Sequence, residues 1–170
     1  MNETTVYIGI DNGISGGIAA ISITPGTGII ARTAMATQKT GKGNEIDVRG
    51  VWQFLQDELQ VSNNVDKIVI IIEEPGGSKS ASAAASMAAS FAALRAMCEL
   101  KGVRHIRITP QRWQKNLLKC GKGENKAAAL TMARALWPDE TWLESPRCRT
   151  PHDGIIDAAL IAEYGRRQRL

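Results

Sequence analysis

The N-terminal third of the chain alternates between apolar stretches and turn residues. Three apolar stretches predict strands near 5–11, 17–24 and 28–36. Short turns join them, the second at 25–28, so the strands are expected to pair as an antiparallel meander. The segment 37–45 is polar and has nothing to bury, and it is expected to be a flexible loop.

The pattern then changes to a helical and afterwards to a continuous apolar one. A helix is predicted after Asp47, its N-cap, because apolar residues follow at the spacing of one helix face. That face consists of Val48, Trp52, Leu55 and Leu59. Residues 68–72 are all β-branched, which indicates a central strand covered on both faces.

An alanine-rich segment, about 80–101, predicts a long helix. Its apolar stripe consists of Met87, Phe91, Leu94 and Cys98. The rest of its surface is thin and smooth because small residues cover it. Two interpretations stay open: the helix lies flat on its own sheet, or it packs closely against a partner.

The C-terminal half carries shorter elements. They are a strand at 103–108, a helix with Thr109 as cap and Pro110 at its first position, a helix at 125–136, an irregular stretch at 138–151 and a last helix from His152 towards Arg167. Lys115 and Lys119 are expected one turn apart on the first of these helices. Strands that alternate with helices indicate the α/β class.

Length and composition narrow the class further. A chain of 170 residues is expected to form one domain, 1–170, with a proper core. Its longest apolar stretch, 68–72, is far shorter than a membrane span, so a soluble protein is expected. The cysteines at 98, 120 and 148 are odd in number and widely spaced, which fits reduced intracellular thiols better than a disulfide framework or a zinc site.

Positive charge is concentrated in one segment. The net charge is only +4, but residues 101–126 carry eight Lys or Arg and one acid, Glu124, which makes this segment +7. A localised basic stripe is expected of a protein that contacts a phosphate backbone, although a solvated helix face also has short charge runs.

Asp11 ends the first predicted strand and meets a glycine-rich turn at 12–17. Glycine lets a backbone approach a phosphate, and a carboxylate can hold a divalent cation. A third interpretation is an aspartate that only accepts hydrogen bonds from its own turn. The choice depends on further acids.

Further acids stand at the ends of neighbouring elements. Glu73 and Glu74 close the buried strand, and Asp153 and Asp157 share one face of the last helix. Asp157 lies among apolar residues, where an unpaired carboxylate is costly, so a cation is its natural partner. Mg²⁺ ions bound by such acids can activate water and stabilise the leaving oxygen at a phosphodiester. Beside a basic stripe, these acids predict a metal-dependent nuclease.

The same motifs resemble a known family. They are GIDNG at 9–13, IEE at 72–74, TPQRWQK at 109–115, Lys126 in its helix and DGIIDAALIA at 153–162. In this order they are similar to the RuvC-type Holliday-junction resolvases, particularly the phage-like members, within the RNase H-like superfamily. The resemblance covers nearly the whole chain. It implies an RNase H-like α/β fold with a central mixed five-stranded sheet, an antiparallel meander plus parallel strands, flanked by helices.

The resemblance also implies an activity. It implies a homodimer, paired through the helix near 80–101, that binds a four-way DNA junction and nicks two opposed strands symmetrically in DNA recombination, repair or phage DNA processing. Two Mg²⁺ ions per site are expected, with Mn²⁺ as a substitute and no nucleotide cofactor. No membrane contact is expected, and the implied location is the cytoplasm of a bacterial or phage-infected cell.

Site residues follow from the resemblance position by position. The implied metal-binding catalytic acids are Asp11, Glu73, Asp153 and Asp157, with Lys126 as a catalytic cation. The family motif favours Glu73, whereas strand alternation leaves Glu74 as an alternative ligand. The implied DNA contacts are Lys79, Arg112, Lys115, Lys119, Lys122 and Lys126.

Two features depart from the bacterial members of this family. The final acids are four residues apart rather than three, and residues 75–77 supply no aromatic side chain to stack on junction bases. Trp113 is expected in the core instead, and His152 beside a helix N-terminus. The rival hypotheses are a broader flap or fork nuclease, a catalytically silent junction-binding protein, and an actin- or sugar-kinase-like ATPase, whose two lobes need a longer chain.

Overall fold

The structure, a computed structural model, describes residues 5–23, 28–41, 43–77, 80–118, 120–121 and 123–170. Its strands are β1 (Val6–Asp11), β2 (Gly17–Ser22), β3 (Ile29–Ala34), β4 (Thr37–Thr40), β5 (Gly43–Ile46), β6 (Ile68–Glu73) and β7 (His105–Ile108). Its helices are α1 (Val48–Leu59), α2 (Ala81–Lys101), α3 (Pro110–Leu117), α4 (Asn125–Leu136) and α5 (Asp153–Gln168).

The central sheet has five strands in the order β3-β2-β1-β6-β7. Strands β1, β2 and β3 pair antiparallel, whereas β6 runs parallel to both β1 and β7. The predicted mixed sheet is therefore confirmed, with the meander on one side and the parallel strands on the other. Most of the turn predicted at 25–28 lies outside the described residues.

Strand β6 is covered on both faces, as its apolar run predicts. Val69 and Ile71 pack in the core beneath α3, α4 and α5. Ile70 and Ile72 pack in a second core beneath α1 and α2. Alternate residues of one strand therefore serve two separate cores.

Helix α5 lies against β1 and β2 with almost no space between the backbones. A β-carbon at Gly9 would overlap the carbonyl oxygen of Ala158, and one at Gly17 would lie 2.7 Å from the carbonyl carbon of Gly154. Glycine permits this approach because any side chain would push the helix away. The start of α5 is therefore held beside the end of β1.

The segment 37–45 is not the flexible loop that its polarity predicts. It forms most of an antiparallel hairpin in which Thr37 pairs with Ile46. Gly43 has a φ of 128°, which favours glycine, and the Thr40 hydroxyl donates to the Gly43 carbonyl at 3.0 Å. Polarity misleads here because backbone pairing and a tight turn hold the hairpin, while the buried Ile46 anchors it to the core.

The helices on one face of the sheet bury slightly different residues from those predicted. The Asp47 side chain caps α1 as predicted, but this helix buries Val51 and Leu55, and the other predicted members of its face are half-buried. The buried residues of α2 are Leu94, Met97 and Cys98. Met87 and Phe91 of the predicted stripe are only half-buried.

Helix α3 begins as predicted and ends early. Thr109 stands at its N-cap and Pro110 in its first turn, but the Thr109 side chain makes no capping hydrogen bond. The helix ends at Leu117, and Lys119, the predicted neighbour of Lys115, lies outside the described residues.

Candidate active site

Four predicted acids meet at the carboxyl edge of the sheet. Asp11 ends β1 and Glu73 ends β6, and because these strands pair in parallel the two acids stand side by side. Asp153 and Asp157 lie in the first turns of α5, which the glycine contacts hold against β1 and β2. These four residues are named the acid cluster below. An open cleft of about 420 Å³ lies over three of them, Asp11, Asp153 and Asp157.

The acids repel one another in a place that is shielded from water. Burial, and then the charges of Asp11 and Asp153, raises the pKa of Asp157 to about 7. Burial is also the main reason that the pKa values of Asp11 and Glu73 are raised, and these two side chains share a hydrogen bond. The raised pKa values mean that the ionised forms of these three acids are costly in the metal-free protein, because burial and neighbouring acids disfavour their negative charge.

A tryptophan holds one oxygen of Glu73. The indole Nε1–H of Trp113 donates to Glu73 Oε1 at 2.6 Å, and the Trp113 side chain is fully buried. The expectation that Trp113 belongs to the core is confirmed. Its contact with an acid was not predicted, since the two residues are 40 positions apart in the sequence.

Glu74 has other neighbours. Its backbone N–H donates to the Ile108 carbonyl at 2.8 Å, and its Oε1 lies 3.9 Å from Nε of Arg107. Successive side chains of a strand alternate between its faces, so Glu74 points away from the side that Glu73 occupies. This geometry favours Glu73 over Glu74 as the member of the acid cluster.

Two further side chains border the acids. Lys126, in the first turn of α4, donates to Asp153 Oδ2 at 2.6 Å, and this contact raises the pKa of Lys126. The Lys126 side chain is 82% exposed, so it can reach a molecule in the cleft. His152 lies at the N-terminus of α5, as predicted, and its Nδ1 accepts the N–H of Ile155 at 3.2 Å.

The chemistry of the acid cluster fits a divalent cation, although no ready ligand set is formed. Within the described residues, no three His, Cys, Asp or Glu side chains form a group that could hold a metal ion. Glu73 and Asp153 are instead engaged by Trp113 and Lys126. The charge imbalance is the stronger indication, because side-chain rotation can bring oxygens together while the backbone stays in place. Carboxylate oxygens are the ligands that Mg²⁺ prefers, and a cation would offset the burial and the repulsion that raise the pKa values.

Comparison with known proteins gives structural matches. The chain matches no protein-family model and no curated protein in sequence. It is similar in structure to Thermus thermophilus RuvC, with 14% identity, 97% of each chain covered and a TM-score of 0.57. T. thermophilus RuvC in complex with a Holliday junction substrate is 15% identical, with 96% of each chain covered and a TM-score of 0.52. The yeast mitochondrial Holliday junction resolvase Ydc2 is 16% identical, with a TM-score of 0.60, and the match covers 94% of this chain and 77% of the Ydc2 chain.

The chain has the RuvC fold. The expected fold, a central mixed sheet flanked by helices, is thereby confirmed over nearly the whole chain. At this identity the likeness concerns the fold alone, so the roles of individual residues rest on the geometry of the site.

On this RuvC fold, exposed basic residues lie on α3, which is joined to the start of α4 beside the acid cluster. Arg112 and Lys115 are exposed on α3. Asn125 Nδ2 donates to Gln114 Oε1 at 2.9 Å, which joins α3 to the start of α4, where Lys126 lies. A surface cavity of about 650 Å³ lies between the two helices. Three other predicted DNA contacts, Lys79, Lys119 and Lys122, lie outside the described residues.

Two glycines of the glycine-rich turn serve packing in this RuvC fold. The space next to Gly16 and Gly17 is filled by protein backbone, including that of Gly154 in α5. The buried Asn12 donates from Nδ2 to the Met87 carbonyl at 3.2 Å and so ties the turn to α2. Gly16 and Gly17 are therefore needed for packing, and Asp11 beside them belongs to the acid cluster.

Proposed function

We propose that the protein is a divalent-metal-dependent endonuclease that resolves four-way DNA junctions by paired nicks. The observation that carries this proposal is the acid cluster, whose burial and mutual repulsion favour a bound cation. The fold shared with Holliday junction resolvases supports the choice of substrate.

The acid cluster would hold Mg²⁺, with Mn²⁺ as a substitute, and two ions per site are proposed. Bound metal would supply activation of water and stabilisation of the leaving oxygen. Lys126, beside Asp153, can neutralise charge on the scissile phosphate. Arg112 and Lys115 would hold the DNA backbone and set its path towards the cleft.

We propose α2 as the contact between two copies of the chain. Only 22% of its most apolar 18-residue window is buried, and Leu100 is 85% exposed. Its small residues Ala89 and Ala93 border a groove of about 380 Å³ beside the β4–β5 hairpin. By length and composition α2 could also cross a membrane, but its inner residues pack in one core with α1 and β6. A second copy related by a two-fold axis would cover the small-residue face and supply a second active site for the opposed strand.

The proposal is tested by cleavage of labelled DNA. Wild type and Asp11→Asn are incubated with a four-way junction, a linear duplex of the same sequence and a flap, each with Mg²⁺, Mn²⁺ or EDTA. We expect metal-dependent nicks in the junction by the wild type, and binding without cleavage by Asp11→Asn. Asp66→Asn, which removes the same charge from an exposed site, should cut normally.

The other outcomes identify the rival functions. Binding without cleavage by the wild type in the presence of metal would indicate a silent junction-binding protein. Equal cleavage of the junction and the flap would indicate a broader branched-DNA nuclease. Cleavage that persists in EDTA would contradict the metal-dependent mechanism.

A further inference from the structure

Trp113 contacts the acid cluster from within the core. Its side chain is fully buried, and its Nε1–H donates to Glu73 Oε1 at 2.6 Å. The bond joins α3 to the end of β6, two elements that are far apart in sequence. Through this bond the position of α3 determines where one oxygen of Glu73 lies.

The donor is neutral, and this decides what the bond can do. An arginine or a lysine here would cancel the charge of Glu73 and compete with a cation, whereas an indole N–H holds one oxygen and leaves the charge on the carboxylate. Asp11 shares a hydrogen bond with Glu73 as well, so the carboxylate is held by two neighbours. Carboxylates that ligate metals are commonly oriented in this way by residues behind them.

Trp142 provides an internal comparison. Its side chain is 1% exposed, and within the described residues its Nε1 has no hydrogen-bond partner. The chain therefore buries one indole N–H without a bond and directs another at an acid of the site. Burial alone does not explain the contact between Trp113 and Glu73.

We propose that Trp113 is a positioning residue for Glu73. Its N–H fixes the rotamer of this carboxylate and would leave the second oxygen, Oε2, available to a cation. The proposal rests on the metal-dependent function proposed above. Without the N–H, Glu73 can rotate, so the affinity for the cation falls while the reaction at saturating metal persists.

The bond itself is tested by NMR without a cleavage assay. The chain has four tryptophans, so four indole N–H signals are expected, and the one lost in Trp113→Phe belongs to Trp113. Glu73→Gln replaces the carboxyl acceptor by an amide and should move this signal, while the Trp142 signal stays in place. Mg²⁺ added to the wild type should also move the Trp113 signal. A Trp113 signal that does not respond to Glu73→Gln overturns the proposal.

The role of the bond is tested by metal titration of two matched variants. Trp113→Phe removes the donor and keeps a ring in the core, and Trp142→Phe makes the same change at the other fully buried tryptophan. The Mg²⁺ concentration needed for half-maximal binding, measured by calorimetry, and for half-maximal junction cleavage should rise about 10-fold to 100-fold in Trp113→Phe. Saturating Mg²⁺ should restore cleavage, and Trp142→Phe should keep the wild-type values. Equal shifts in both variants, or a loss of cleavage that excess Mg²⁺ does not restore, would overturn the proposal.

These readouts separate the role of Trp113 from the proposed function. A wild type that binds Mg²⁺ but cuts no junction would remove the proposed function, and the NMR and calorimetric results would still support or overturn the role of Trp113. A wild type that binds no Mg²⁺ would overturn both.

Discussion

Removing the charge of Asp157 is expected to stabilise the metal-free protein. Asp157→Asn keeps the shape of a side chain whose pKa is raised from 3.8 to about 7, by burial first and then by Asp11 and Asp153. Because one pKa unit corresponds to about 1.36 kcal/mol, the charged form of Asp157 destabilises the folded protein by at most about 4 kcal/mol. Asp157 is half-buried and water screens part of the repulsion. We therefore expect the free energy of unfolding of Asp157→Asn to exceed that of the wild type by about 1–2 kcal/mol. At this chain length the gain corresponds to about 2–8 °C in Tm.

The direction of the pH dependence follows from proton uptake. The pKa of Asp157 is higher in the folded protein than in the unfolded chain, so between about pH 4 and pH 7 the folded state holds a proton that the unfolded chain has lost. The stability of the wild type should fall as the pH rises through this window. The advantage of Asp157→Asn should be absent near pH 4, grow with pH and be complete above about pH 7.

Thermal unfolding in EDTA across this pH range measures the effect. Asp66→Asn is the control, because it removes an equal charge from an exposed position. Mg²⁺ should narrow the difference between Asp157→Asn and the wild type, since a ligand at tenfold its Kd adds about 1.4 kcal/mol to the wild type and less to a variant that lacks one of the acids. A variant no more stable than the wild type in EDTA at high pH, or an equal gain in Asp66→Asn, would refute the reasoning.

Three further predictions concern the packing and the DNA contacts. Gly9→Ala should cost about 3 kcal/mol in urea unfolding because its β-carbon has no space, whereas Gly28→Ala, with no described atom within 4 Å, should be neutral. Lys126→Met should lower single-turnover cleavage about 100-fold with little change in junction affinity, and a loss confined to binding would contradict its place at the scissile phosphate. Arg112→Ala and Lys115→Ala should each weaken binding to all DNA sequences alike and reduce the slope of log affinity against log salt by about 1, so an unchanged slope would argue against a phosphate contact.

The fold could be predicted where burial determines the residue pattern. The apolar run 68–72 indicates a strand with two covered faces, and β6 has both. The hairpin at 37–46 could not be predicted in this way, because most of its side chains are exposed and its stability comes from backbone pairing. The predicted face of α1 packs on the core, with Leu55 buried and the other three residues half-buried against it, and Val51 beside this face is buried as well.

The acid cluster could be predicted in part. Asp11 and Glu73 end strands that read as neighbours, and the ends of parallel strands meet at one edge of a sheet. Asp153 and Asp157 approach the other acids because glycines of β1 and β2 let α5 pack closely against the sheet. The sequence does not reveal this packing, because the glycine-rich turn after Asp11 is also consistent with a phosphate loop. The bond from Trp113 to Glu73 depends on a rotamer and on the packing of α3, so nothing local in the sequence indicates it. The roles of these residues in catalysis stay predictions.

Two copies of this chain that cut opposed strands of a junction with bound metal would linearise a supercoiled plasmid that extrudes a cruciform. Paired nicks within one binding event convert such a plasmid to a linear form, whereas single nicks yield a nicked circle. We expect linear product from the wild type with Mg²⁺, and none with EDTA or from Asp11→Asn. Nicked circles as the lasting product, or uncut plasmid in the presence of Mg²⁺, would contradict the proposed function.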